Sequence, residues 1–124
     1  MKVLMIKPGE HPKTVEIEHT NAAMQKAVGS DIYQATYPWE EPCALVCDEE
    51  ACWHDYQLPN RMIPELGYPI MGPFFICGLT TESFCDLPDE LIQRFTREYW
   101  KPEVFIRTGA GIMVIPLDDG SRPK

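Results

Sequence analysis

Apolar residues in this chain come in short runs, each closed by proline, glycine or charge. Val3-Leu4-Met5-Ile6 is followed by Pro8-Gly9, and Cys43-Ala44-Leu45-Val46-Cys47 lies between Pro42 and Asp48-Glu49-Glu50. Phe74-Phe75-Ile76-Cys77 is bracketed by Gly72-Pro73 and Gly78, and Ile112-Met113-Val114-Ile115 follows Gly109-Ala110-Gly111. Runs of this length suit strands and are too short for buried helices. None approaches the roughly 20 residues of a membrane-spanning helix. The N-terminal run lacks a small-residue cleavage site, so no signal peptide is expected there.

Between these runs the pattern changes period. Thr14 to Glu18 alternates, with Val15 and Ile17 inward, and is expected to pair with the first run as a hairpin. Thr20 or Asn21 can cap a short helix whose Ala23, Met24, Ala27 and Val28 share a face and which Gly29 ends. Ile32 to Tyr37 alternates again, and Pro38 to Pro42 reads as a rigid turn. A second helix is expected over about 88–100, where Leu87, Leu91, Ile92, Phe95 and Tyr99 fall at helical spacing and Asp89-Glu90 suits the dipole of the first turn. Lys101-Pro102 ends it. Val104-Phe105-Ile106 and Ile112 to Ile115 form a hairpin around the glycines. Residues 51–69, broken by Pro59, Pro64, Gly67 and Pro69, carry no readable period.

The expected fold is therefore α+β: a mostly antiparallel sheet of hairpins with two interspersed helices, a single domain over residues 1–116 and a frayed tail over 117–124. With 124 residues the chain is long enough to build a core without disulfides or metals. Five cysteines, an odd number without an export signal, point to free thiols in a reducing cytoplasm.

Charge and spacing narrow the function classes. Nineteen acidic against eleven basic residues, with the basic ones scattered, offer no footprint for direct contact with nucleic acid. The acidic groups Glu40-Glu41 and Asp48-Glu49-Glu50 read as solvated turns. Cys43, Cys47, Cys52 and His54 tempt as zinc ligands. A strand, however, would separate the first two α-carbons by about 13 Å, whereas ligands on one zinc bring their sulfurs within about 4 Å. No metal and no cofactor is expected. Cys52 and His54 could pair as nucleophile and base, but the one orienting group in view, Asp55, would point the other way. Gly109-Ala110-Gly111 precedes a strand rather than a helix, so it is a turn and not a phosphate loop. No catalytic residue is assigned.

Two groups remain as candidate sites. Asn60 and Arg61, in a proline-bounded segment, could present a guanidinium fork to an anionic small molecule such as a nucleotide; the alternative is a structural role, Arg61 pairing with a carboxylate to pin the loop. Trp39 and Trp53 are the tryptophans expected to be exposed, and with Tyr56, Glu49 and Glu50 they could form a partner-binding surface.

Several motifs in order also resemble a known family. Lys2-Val3-Leu4, Lys7-Pro8-Gly9, Ala27-Val28-Gly29-Ser30-Asp31-Ile32, Tyr37-Pro38, Glu40-Glu41-Pro42 and Leu45-Val46-Cys47-Asp48-Glu49-Glu50 are joined by Leu58-Pro59-Asn60-Arg61, Gly72-Pro73-Phe74-Phe75-Ile76 and the helix start from Phe84 to Leu91. Together they resemble the domain-of-unknown-function family 3846 over roughly residues 1–100. Ala51 stands where relatives usually carry glycine, and relatives tend to have one more residue between the proline and Asn-Arg. The resemblance implies a setting in phages, plasmids and Gram-positive mobile elements, and assigns no activity or catalytic residue. The expectation is a non-enzymatic accessory protein that binds a host or element-encoded protein, the alternative being a small-molecule binder using Asn60 and Arg61.

Overall fold

The computed structural model describes residues 1–123. Five strands form the path of a central antiparallel sheet: β1 (Lys2–Ile6), β2 (Lys13–Glu16), β3 (Tyr33–Thr36), β4 (Cys43–Asp48) and β7 (Phe74–Leu79), in the order β2-β1-β7-β4-β3. A two-residue strand, β8 (Phe84–Cys85), adds to the end of β7. β5 (Pro59–Ile63) pairs with β6 (Tyr68–Met71), and β9 (Glu103–Thr108) with β10 (Gly111–Pro116), as separate hairpins. The fold is α+β with mostly antiparallel sheets, as the sequence pattern indicates.

Both faces of the sheet are covered, which is why its central strands read as unbroken apolar runs rather than alternating ones. On one face, Val3, Met5, Ala44, Val46, Phe75 and Cys77 pack against Met24 and Val28 of helix α1 (Asn21–Val28), with Val15 and Ile17 at the margin. On the other, Leu4, Ile6, Cys43, Leu45, Cys47, Phe74 and Ile76 meet Phe95 of helix α2 (Asp89–Glu98), the flanking Leu87 and Tyr99, and Ile63 and Ile70 of the β5–β6 hairpin.

The helix signals are realised locally. Thr20 Oγ1 accepts from the Ala23 amide at 3.1 Å, and Gly29 closes α1 at φ 72°, a left-handed conformation that glycine adopts without steric cost. α2 begins after Pro88 with Asp89 and Glu90 in its first turn and Arg97 in its last.

Three expectations need correction. Trp39 is buried, its ring 4.4 Å from that of Phe95, because α2 folds over the Pro38–Pro42 turn. Residues 51–69 are not irregular: a 3₁₀ turn (Ala51–Trp53) leads to the β5–β6 hairpin. The tail expected to fray lies against the body. The Leu117 amide donates to the Pro102 carbonyl, and Trp100 Nε1 donates to the Ser121 carbonyl at 3.1 Å. Lys124, the last residue of that tail, lies outside the described residues. Among the described residues, no helix is long and apolar enough to cross a membrane.

Candidate functional site

The segment between β4 and β5 combines the most exposed large side chains with a buried polar anchor. Asp48 ends β4 with its carboxylate wholly buried. Its Oδ1 accepts from the Glu50 amide at 2.9 Å. Its Oδ2 accepts from His54 Nδ1 at 2.7 Å and from Gln57 Nε2 at 2.9 Å. Burial alone would raise this carboxyl's pKa, but hydrogen bonds from Gln57, His54, the Glu50 amide and Ser30 outweigh it and hold the group below the usual carboxylate range. Gln57 Nε2 also donates to the Val28 carbonyl, and Tyr56 Oη donates to the Gly29 carbonyl, so the loop is tied to the end of α1. The Tyr56 and His54 rings stack 5.1 Å apart.

On this scaffold Trp53 is 79% exposed, Tyr56 63% and Leu58 61%. Glu49 is exposed beside them and Glu50 half-buried. From Ala27 to Asn60 the chain has seven carboxylates and neither lysine nor arginine, and four of them, Asp48, Glu49, Glu50 and Asp55, fall within this loop and its anchor. The structure places Trp53, Tyr56, Glu49 and Glu50 in one region and Trp39 in the core. The sequence reading missed Asp48, taken for a solvated tip, and Gln57. The signal available was position: Asp48 is the last residue of a strand buried along its whole length.

His54 is oriented by Asp48 and not by Asp55. Cys52 is exposed, and among the described residues its thiol makes no hydrogen bond to His54. Cys43 and Cys47 lie on one face of β4, facing the α2 side of the core. Burial raises both thiols, Cys43 to about 11, so neither is an available thiolate near neutral pH.

Asn60 and Arg61 sit inside the molecule, which corrects their assignment as a ligand fork. Both are fully buried. Asn60 Nδ2 donates to the carbonyls of Ile6 and Gly72, at 2.9 and 2.8 Å. Arg61 Nε donates to the Tyr99 carbonyl at 3.1 Å, Nη1 to Asn60 Oδ1 at 2.9 Å and Nη2 to the Glu10 carbonyl at 2.6 Å. Tyr99 caps the C-terminus of α2, where the helix dipole favours a cation. Burial lowers the guanidinium to about 10, with Glu103 acting in the opposite direction, so it stays charged at neutral pH. The structural alternative holds in a changed form: the partners that pin the loop are backbone carbonyls and Asn60.

Cations gather elsewhere. Arg97, Lys101 and Arg122 line a cavity of about 460 Å³ with Trp100, Asp118, Gly120 and Ser121, between the end of α2 and the tail. Lys101 Nζ lies 3.3 Å from Asp118, while Arg97 and Arg122 have no carboxylate within salt-bridge distance among the described residues. His11 stacks on Trp100 at 3.9 Å and fixes the tail through Asp119, 2.9 Å from its Nε2.

Fold and surface define an α+β domain with both sheet faces covered and a pinned, acidic-rimmed aromatic loop. Residues 1–100 match the family described as Domain of unknown function (DUF3846), and the chain belongs to it. No curated protein and no solved structure matches the chain.

Proposed function

We propose that this chain is a non-enzymatic accessory protein of a phage or mobile element, and that it binds a host or element-encoded protein through the loop joining β4 and β5. The observation that carries this reading is Trp53, 79% exposed on a loop held by a buried carboxylate. Large aromatic side chains dominate binding energy at interfaces, and a loop ordered before contact loses less entropy on binding. The acidic surroundings select a partner with a basic, partly apolar surface and speed its approach. Five free cysteines fit a reducing compartment, which supports a cytoplasmic place of action.

The test uses immobilised wild-type protein and the variants Trp53→Ala and Tyr56→Ala in lysate of a host carrying the element. A stoichiometric partner retained by wild type, and lost from variants of unchanged melting temperature, is the expected result. Equal retention by Trp53→Ala, or no stoichiometric partner, overturns the reading.

A second reading rests on the cationic cavity. An anionic small molecule of nucleotide size could place its phosphates at Arg97 and Arg122 and its ring near Trp100. Quenching of tryptophan fluorescence by ATP or pyrophosphate, abolished in Arg97→Ala/Arg122→Ala, supports it. No response in the wild-type protein refutes it.

A further inference from the structure

The β9–β10 hairpin leaves one face uncovered. In its register Val104 lies opposite Ile115 and Ile106 opposite Met113, and the pairing continues where the Leu117 amide reaches the Pro102 carbonyl. Cross-strand partners share a face, so Val104, Ile106, Met113, Ile115 and Leu117 form one apolar surface. They are 38%, 43%, 51%, 38% and 47% exposed. The opposite face is half-buried toward the body at Glu103, Phe105 and Val114, and exposed at Arg107 and Ile112 near the turn. The hairpin joins no larger sheet, and an isolated two-stranded hairpin is marginal in water unless its apolar face is covered.

We infer that a second copy of this chain covers that face, giving a twofold dimer packed hairpin against hairpin. Size is one argument. At these exposures the face offers roughly 400 Å² of apolar side chain, the scale at which a patch marks an interaction site. Two copies with their rims then bury about 1,000 Å², where specific interfaces begin. Charge is the other. The five residues of this face include no carboxylate and no cation, so two copies of this acidic chain can meet there without setting like charges against each other. A twofold axis sets the Val104–Ile106 row of one copy on the Ile115–Met113 row of the other, so the face is complementary to itself.

This dimer is independent of the β4–β5 loop, and the experiment separates the two. Sedimentation velocity on the full chain from about 1 μM to about 0.1 mM should show a monomer–dimer equilibrium with a micromolar dissociation constant. Ile106→Lys/Met113→Lys should weaken it by at least about 100-fold, because association would bury unpaired charges. Trp53→Ala should leave it unchanged. If the lysine variant does not fold, Val104→Thr/Ile106→Thr keeps strand-forming residues and should weaken association by about 10-fold. A wild-type chain that remains monomeric throughout, whether or not it binds another protein or a lipid vesicle, overturns the inference. So does a dimer that survives the substitutions on this face.

Discussion

Replacing Arg61 by methionine keeps much of the apolar stem and removes every donor. Two of those donors end on interior acceptors, the Tyr99 carbonyl and Asn60 Oδ1. Hydrogen bonds from a charged donor contribute about 1.5–3 kcal/mol each, so the pair is worth about 4 kcal/mol. The third reaches the partly exposed Glu10 carbonyl, where water can substitute, and counts for little. Against this stands the desolvation of a cation that has no hydrogen-bonded carboxylate among the described residues. Removing the charge returns roughly 2 kcal/mol of that cost, a modest share of the several kcal/mol a buried ion can carry. The expected net loss is about 2 kcal/mol, or a melting temperature lower by about 8 °C for a domain of this size. Arg61→Lys should lose a similar amount, since one compact ammonium cannot bridge the β1–β2 loop, Asn60 and the end of α2 together. Thermal unfolding by circular dichroism at pH 7 provides the measurement. A methionine variant as stable as wild type would show that desolvation outweighs the hydrogen bonds and would refute the clamp.

Trp39→Ala should cost about 3–5 kcal/mol by opening a cavity against Phe95, whereas Trp53→Ala should change stability by under about 0.5 kcal/mol; chemical denaturation of both variants checks the contrast. The Trp100 carbonyl and then Asp119 raise the pKa of His11, so its hold on the tail is fully present below the ordinary histidine value and is lost as pH rises through the raised one. Amide exchange in residues 117–123 should therefore quicken with pH beyond its intrinsic dependence, and His11→Gln should remove the excess.

How far the sequence reached depended on whether a signal was local. Thr20 and Gly29 bound α1 through contacts within a few residues, and Leu91, Ile92, Phe95 and Tyr99 mark α2 by spacing alone. The β5–β6 hairpin was hidden by Pro59 and Pro69, which argue against central strands but are tolerated at a strand's first residue and in a two-stranded edge. Trp39 looked exposed because its turn is rich in proline and glutamate, while the surface that buries it lies 56 residues later in α2. Arg61 was legible as a fixed guanidinium, and the neighbouring Met62-Ile63 hinted at burial. Apart from Asn60, its acceptors come from residues 10 and 99, which no local pattern connects. Asp48 was concealed by the two solvated glutamates that follow it.

The position of β7 between β1 and β4 has a consequence for how the chain is made. Synthesis delivers β1 with β2, and β3 with β4, as two ribbons well before Phe74 exists. Each then has an open strand edge and, because α2 comes later still, apolar surface left uncovered on the side that α2 will close. Nascent or truncated chains ending before residue 74 therefore expose the features that drive edge-to-edge aggregation. β7 completes both ribbons with pairings that span about 30 and about 70 residues, and non-local pairings of this kind are expected to slow folding.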